Sequence, residues 1–110
     1  MNRVVITGAG VISSLGMDLT TNFNSLSEGK NGIGPIDFLN AERLSVRIGG
    51  QIHNFNPYNH FSKQENSIYD KFTQFALIAT KQAVSSSGIE LKEKDSSKVG
   101  VILGTAGGGL

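Results

Sequence analysis

The chain has 110 residues, 38% of them hydrophobic, and ten basic against nine acidic side chains leave a net charge of +1. That length allows one domain at most, and the near-neutral balance gives no electrostatic case for nucleic acid or an anionic membrane as partner. Cysteine is absent, which excludes disulfides, thiolate metal sites and a cysteine nucleophile within these residues. No apolar run approaches the ~18–20 residues of a membrane span, and no secretion leader opens the sequence, so the expected setting is a soluble protein of the cytoplasm.

Residues 3–8, "RVVITG", are short, β-branched and closed by glycine, which predicts a buried strand. Residues 9–17 are irregular, broken at Gly10 and Gly16. Asp18 is placed to N-cap a short helix over 19–28, with Leu19, Phe23 and Leu26 on one face and Gly29 as its stop. "GKNGIGPIDF" holds three glycines and Pro35 and reads as loop. Val46, Ile48 and Ile52 alternate with polar residues, predicting an edge strand or a hairpin bent at Gly49-Gly50, and Pro57 ends any ladder.

The clearest element is a helix over 68–87. Phe72, Phe75, Ala76, Ala79 and Ala83 form its apolar stripe, and the small alanines predict close packing against a neighbour. Gly88 ends it. A charged loop, "ELKEKDSSK", leads into "VGVILG", a second predicted buried strand, and the chain finishes "TAGGGL". A strand that delivers a glycine-rich loop normally leads to a further element, so the expectation is the N-terminal piece of a longer protein. Alone, such a piece is expected to aggregate through its unpaired strand edges.

"VVITGAG" has the opening of a dinucleotide-binding fingerprint, in which a strand delivers glycines to a pyrophosphate at a helix N-terminus. The context opposes that reading. Gly16 interrupts any helix starting in the loop, the next one is capped at Asp18, and the acidic Glu28 sits near a helix end. Gly8 and Gly10 then serve to turn the backbone as it leaves a strand. "GTAGGGL" lacks the Lys-Ser/Thr pair of a phosphate loop, leaving a flexible turn or a loop for close approach. His53 and His60 have no second ligand at metal spacing, and Ser13 and Ser14 have no base and read as turn residues.

Taken in order, "RVVITGAGVISSLG", "LSEGKNGIGPIDF", "RIGGQIHNFNP", "YDKFTQFALIATKQAVSSSGI" and "VGVILGTAGGGL" resemble the N-terminus of the β-ketoacyl-acyl carrier protein synthases. The resemblance covers essentially the whole chain. It implies an α/β, thiolase-like layered fold, of which residues 1–110 form the front of the first half, with Val4–Thr7 and Val99–Leu103 in one central sheet. It implies decarboxylative condensation of an acyl thioester with malonyl-carrier protein, a homodimer or synthase-like heterodimer, acyl carrier protein as partner, and no cofactor. The nucleophilic cysteine and two histidines are expected beyond Leu110, and His53 and His60 do not match them, so no catalytic residue is expected here.

By the same resemblance, the loop 104–110 passes near the bottom of the acyl pocket, and Gly107 stands where some relatives have a bulky aliphatic residue. Gly107 is therefore a candidate substrate-binding position that leaves room for a longer or stiffer acyl chain. Members of the family usually place several Lys or Arg just ahead of the long helix, where the acidic carrier docks. Gln64, Ser67 and Ile68 stand there instead, with Lys63 and Lys71 nearby. That departure keeps an alternative open, a non-catalytic partner subunit of the chain-length-factor type.

Overall fold

The structure, a computed structural model, describes residues 2–90, 92 and 97–108. Two helices follow their sequence signals closely. Asp18 accepts the Thr21 N–H at 2.8 Å and starts α1, Leu19–Ser27. Gly29, with φ of 67°, turns the chain away after it. Asp70 accepts the Thr73 N–H at 2.8 Å and starts α3, Lys71–Ser87, which ends at the left-handed Gly88 with φ of 66°. These are the positive-φ positions at which glycine is the natural helix stop.

The predicted start of the long helix at residue 68 is corrected. A separate short helix, α2 (Lys63–Ile68), comes first and breaks at Tyr69, whose backbone is extended. Its start is a capping box: Ser62 Oγ accepts the Glu65 N–H at 3.2 Å while Glu65 accepts the Ser62 N–H at 2.8 Å. Two side-chain-capped starts in quick succession, at Ser62 and Asp70, leave no register for one continuous helix.

The segment read as loop supplies a strand. β1 (Ile33–Pro35) pairs antiparallel with β2 (Ile48–Gly50), in the register Ile33↔Gly50, Gly34↔Gly49 and Pro35↔Ile48. Gly49 and Gly50 lie within the ladder, so the predicted bend there does not occur. Pro35 is tolerated because the strand is an edge. Past the ladder, the Gln51 amide takes the Asp37 N–H and donates to the Asp37 carbonyl, both at 2.7 Å, extending the pairing by a side chain. Single turns of 3₁₀ helix at Ala41–Arg43 and Pro57–Asn59 complete the regular structure.

Neither segment predicted as a buried strand pairs in a sheet among the described residues. Val4 and Ile6 are each 92% exposed and Ile102 is fully exposed. The physical reason is that a strand exists as a ladder with a neighbour, and these segments have none. The charged loop between Gly88 and Val99 lies partly outside the described residues.

The interior is correspondingly small. Among the described residues the buried apolar side chains are Phe61 and Ile78. The chain exposes 9057 Å², against about 5,900 Å² for a compact protein of this mass. Its radius of gyration of 16.9 Å likewise exceeds the roughly 13 Å of a closed domain. An aromatic cluster joins the turn after β2 to α3: Phe55 meets Phe75 edge-on at 5.0 Å, Phe61 meets Tyr69 at 5.9 Å, and the Lys81 ammonium lies 5.4 Å from the Phe61 ring.

Candidate functional site

The chain's first glycines are fixed by a neighbour rather than by backbone twist. A Cβ added at Gly10 would stand 2.8 Å from the Ala83 nitrogen and closer still to the Ala79 carbonyl. One added at Gly8 would stand 2.6 Å from the Ser87 nitrogen and closer to the Ala83 carbonyl. The "TGAG" segment thus lies directly on the backbone of α3, over the alanines whose small size predicted a close neighbour. Neither glycine has a positive φ among those recorded, so close approach replaces the sequence-based reading of a turn.

Two side chains one helical turn apart hold this contact. Ser86 Oγ accepts the Ala9 N–H at 3.0 Å and reaches the Ala9 carbonyl at 3.1 Å. Gln82 accepts the Val11 N–H at 3.1 Å and donates to the Met17 carbonyl at 2.7 Å. α3 therefore supplies the hydrogen bonds that a sheet partner would otherwise give to this stretch of backbone.

α1 works the same way. Its buried residues are Asn22 and Ser25, not the predicted apolar face: Leu19, Phe23 and Leu26 are exposed. Asn22 donates to the carbonyls of Gly16 and Asp18, both at 2.8 Å, and accepts from Ser13 Oγ, while Ser25 donates to the Leu15 carbonyl at 2.9 Å. The backbone of 13–18 offers carbonyls that need donors, and the polar face of the helix turns inward to meet them.

Clefts among the described residues flank this scaffold. One of about 470 Å³ lies between Ser13 and Ser14, the end of β2 at Gly50-Gln51, and Lys71 and Phe75 of α3. The residues lining it include a lysine and two hydroxyls but no carboxylate or imidazole. Ser13 is already spent on Asn22 and Leu15, so the cleft has no activated nucleophile. A second cleft, of about 370 Å³, brings Gly10–Ile12, Phe72, Ala76 and Ala79 beside Leu103 and Gly104. The "VILG" segment thus reaches the same face of α3 as the chain's first glycines.

His53 and His60 are both exposed and do not meet; His60 stacks on Phe55 at 6.0 Å. Among the described residues no three His, Cys, Asp or Glu stand together as a metal site. Gly107 is exposed in a bend next to Gly108, which has a φ of 67° and donates its N–H to Thr105 Oγ1 at 2.9 Å. It lies beyond the part of the loop, Leu103-Gly104, that touches the second cleft; Gly109 and Leu110 are outside the described residues. α2 presents Lys63, Gln64, Ser67 and Ile68 to solvent, with Ile68 69% exposed.

The helix-capping carboxyls carry the clearest electrostatic signature. The Thr21 backbone amide, then its hydroxyl, holds Asp18 below the usual carboxylate range. The Ser62 amide, then its hydroxyl, does the same for Glu65, and the Thr73 hydroxyl followed by its amide does so for Asp70. All three are structural caps on exposed helix starts.

The sequence "S-x-x-E" at Ser62–Glu65 is a capping signal that marks α2. The pairing of Gln82 and Ser86 with Val11 and Ala9 of the opening segment has no comparable local signal, because their partners lie 71 and 77 residues away.

The family described as β-ketoacyl synthase, N-terminal domain, matches residues 1–110. Among similar proteins is the 3-oxoacyl-[acyl-carrier-protein] synthase 2 of Staphylococcus aureus strain COL, 37% identical over 108 residues. The protein of the same name from Synechocystis is 36% identical over 108 residues. Each alignment covers 98% of this chain and 26% of the relative. The chain belongs to the β-ketoacyl synthase family, and it spans about a quarter of the length of these relatives. No helix among the described residues is long and apolar enough to cross a membrane.

Proposed function

We propose that the intact protein is a 3-oxoacyl-[acyl-carrier-protein] synthase and that residues 1–110 are the N-terminal part of its thiolase-like layered fold. The reaction is the decarboxylative Claisen condensation of an acyl thioester with malonyl-carrier protein, in fatty acid or polyketide assembly. The nucleophilic cysteine and two histidines come from residues after Leu110. A thiolate of depressed pKa takes the acyl group, and fixed donors hold the oxyanion as malonyl loses carbon dioxide and attacks. Acyl carrier protein delivers both substrates, the assembly is a homodimer or a synthase-like heterodimer in the cytoplasm, and no cofactor takes part.

The observation that supports this reading best is the alignment of 98% of the chain with proteins named as such synthases. Within it, the present residues are scaffold: α3 fixes the "TGAG" segment and the "VILG" segment on one face, and the glycine loop follows. Gly107, in that loop, leaves room at the bottom of the acyl pocket.

A second reading, the non-catalytic partner subunit, draws support from α2, which exposes Gln64, Ser67 and Ile68 where carrier-docking members have basic residues. One experiment separates the two. The purified intact protein is given acyl-carrier and malonyl-carrier protein, and carbon dioxide release and 3-oxoacyl product are followed. Product from the protein alone is expected. Product only after a second synthase subunit is added would overturn the enzyme reading in favour of the partner.

A further inference from the structure

Asn31-Gly32 is the single Asn-Gly step in the sequence, and it sits in the turn between α1 and β1. Asn31 is exposed. Its Oδ1 accepts the Ile33 N–H at 2.9 Å, which folds the side-chain carbonyl back over the following peptide. Among the described residues no acceptor takes the Gly32 N–H. The glycine also suits its surroundings. A Cβ at position 32 would run into Ser14 Oγ and stand 3.1 Å from Leu15 Cγ and Cδ2.

We propose that Asn31 is a site of spontaneous deamidation in this protein. The Gly32 nitrogen adds to Asn31 Cγ, and a new N–Cγ bond forms. The Cγ–Nδ2 bond then breaks, and the amide leaves as ammonia with the proton given up by the Gly32 N–H. The five-membered succinimide takes up one water at either carbonyl and opens to aspartate or isoaspartate. A glycine offers the attacking nitrogen no Cβ to crowd the ring. The Ile33 N–H already points at the oxygen on which negative charge develops, the arrangement that stabilises such an intermediate. The close approach of the Ser14 and Leu15 side chains, which would have to shift for any side chain at position 32, therefore also favours the labile step.

The product has local consequences. A carboxylate at position 31 lies next to Lys30, whose ammonium pairs with Glu28 at 2.7 Å. Isoaspartate also lengthens the main chain two residues before the Ile33↔Gly50 pair of the ladder.

The test is to incubate the intact protein in mildly alkaline buffer, digest it with trypsin and follow the amide-to-acid mass change. Cleavage after Arg3, Lys30 and Arg43 separates peptide 4–30, with Asn22 and Asn24, from peptide 31–43, with Asn31 and Asn40. The expected result is conversion in peptide 31–43, located at Asn31 by fragmentation, as a mixture of aspartate and isoaspartate, faster at higher pH, with peptide 4–30 unchanged. A synthetic peptide spanning residues 25–43, acetylated at its amino end, gives the unstructured rate, and the folded protein is expected to match or exceed it. A folded rate roughly tenfold or more below the peptide's would overturn the proposal, since that corresponds to a protected site. So would conversion located at Asn40, or conversion of peptide 31–43 that persists in the Asn31→Gln variant.

Discussion

Gly10→Ala tests the central contact of the structure. The added methyl would stand 2.8 Å from the Ala83 nitrogen and 2.8 Å from Gln82 Cβ, with the Ala79 carbonyl nearer still. Two of these three neighbours are helix backbone, which cannot rotate away, so the first segment must lift off α3. Overpacking of this kind costs about 1–3 kcal/mol. Lifting also stretches the Val11-to-Gln82 and Gln82-to-Met17 hydrogen bonds, each worth about 0.5–1.5 kcal/mol. The expected destabilisation is thus about 2–6 kcal/mol, read as a lower urea midpoint in the intact protein. Gly34→Ala is the control, because nothing lies within 4 Å of its added Cβ. If Gly10→Ala and Gly34→Ala unfold within about 0.5 kcal/mol of each other, the usual scatter of surface substitutions, the close-approach argument is refuted.

Gln82→Ala removes both ends of one clamp and is expected to cost about 1–3 kcal/mol, measured by the same denaturation, with Gln82→Leu separating lost hydrogen bonds from lost volume. Asp70 has its folded-state pKa below its unfolded one. Its stabilisation is therefore complete above the ordinary carboxylate range and fades as pH falls through that range to the depressed value; a lower protection factor at the Thr73 amide in acid, taken relative to the intrinsic exchange rate at each pH, reports it, and Asp70→Asn is expected to flatten that response. Gly107→Ile in the intact enzyme is expected to shorten the acyl products, and an unchanged chain-length distribution would remove Gly107 from the acyl pocket. Carrier affinity is expected to fall only weakly with added salt, given the uncharged Gln64, Ser67 and Ile68 on α2; steep weakening would instead indicate strong ion pairing at the docking surface.

What the sequence made legible was whatever depended on neighbours close along the chain. Asp18 and Asp70 cap their helices within three residues, Gly29 and Gly88 stop them, and the alanines of α3 announce a close partner. The polar interior face of α1 could not be read, because the demand for donors comes from the backbone of 13–18 and not from the helix. β1 was hidden by its glycines and proline, since a three-residue ladder is chosen by its partner strand more than by its own composition. Val4–Thr7 and Val99–Leu103 have the composition of buried strands, yet composition alone does not provide the neighbour that would make them so. For the candidate site, the resemblance to the synthases rests on the order of the segments, while the described residues bring no three His, Cys, Asp or Glu together.

The Ala9–Ser86 pair has a kinetic consequence. It closes a loop of 77 residues, for which chain closure costs about 4 kcal/mol by the (3/2)RT ln n relation. α3 can form from its own turns in about a microsecond, but the first segment gains nothing until that helix exists to receive it. The amino-terminal residues, first to be synthesised, are thus among the last to dock, and a refolding experiment should see protection arise at the Ala9 and Val11 amides, which donate to Ser86 and Gln82, only after α3 itself is formed.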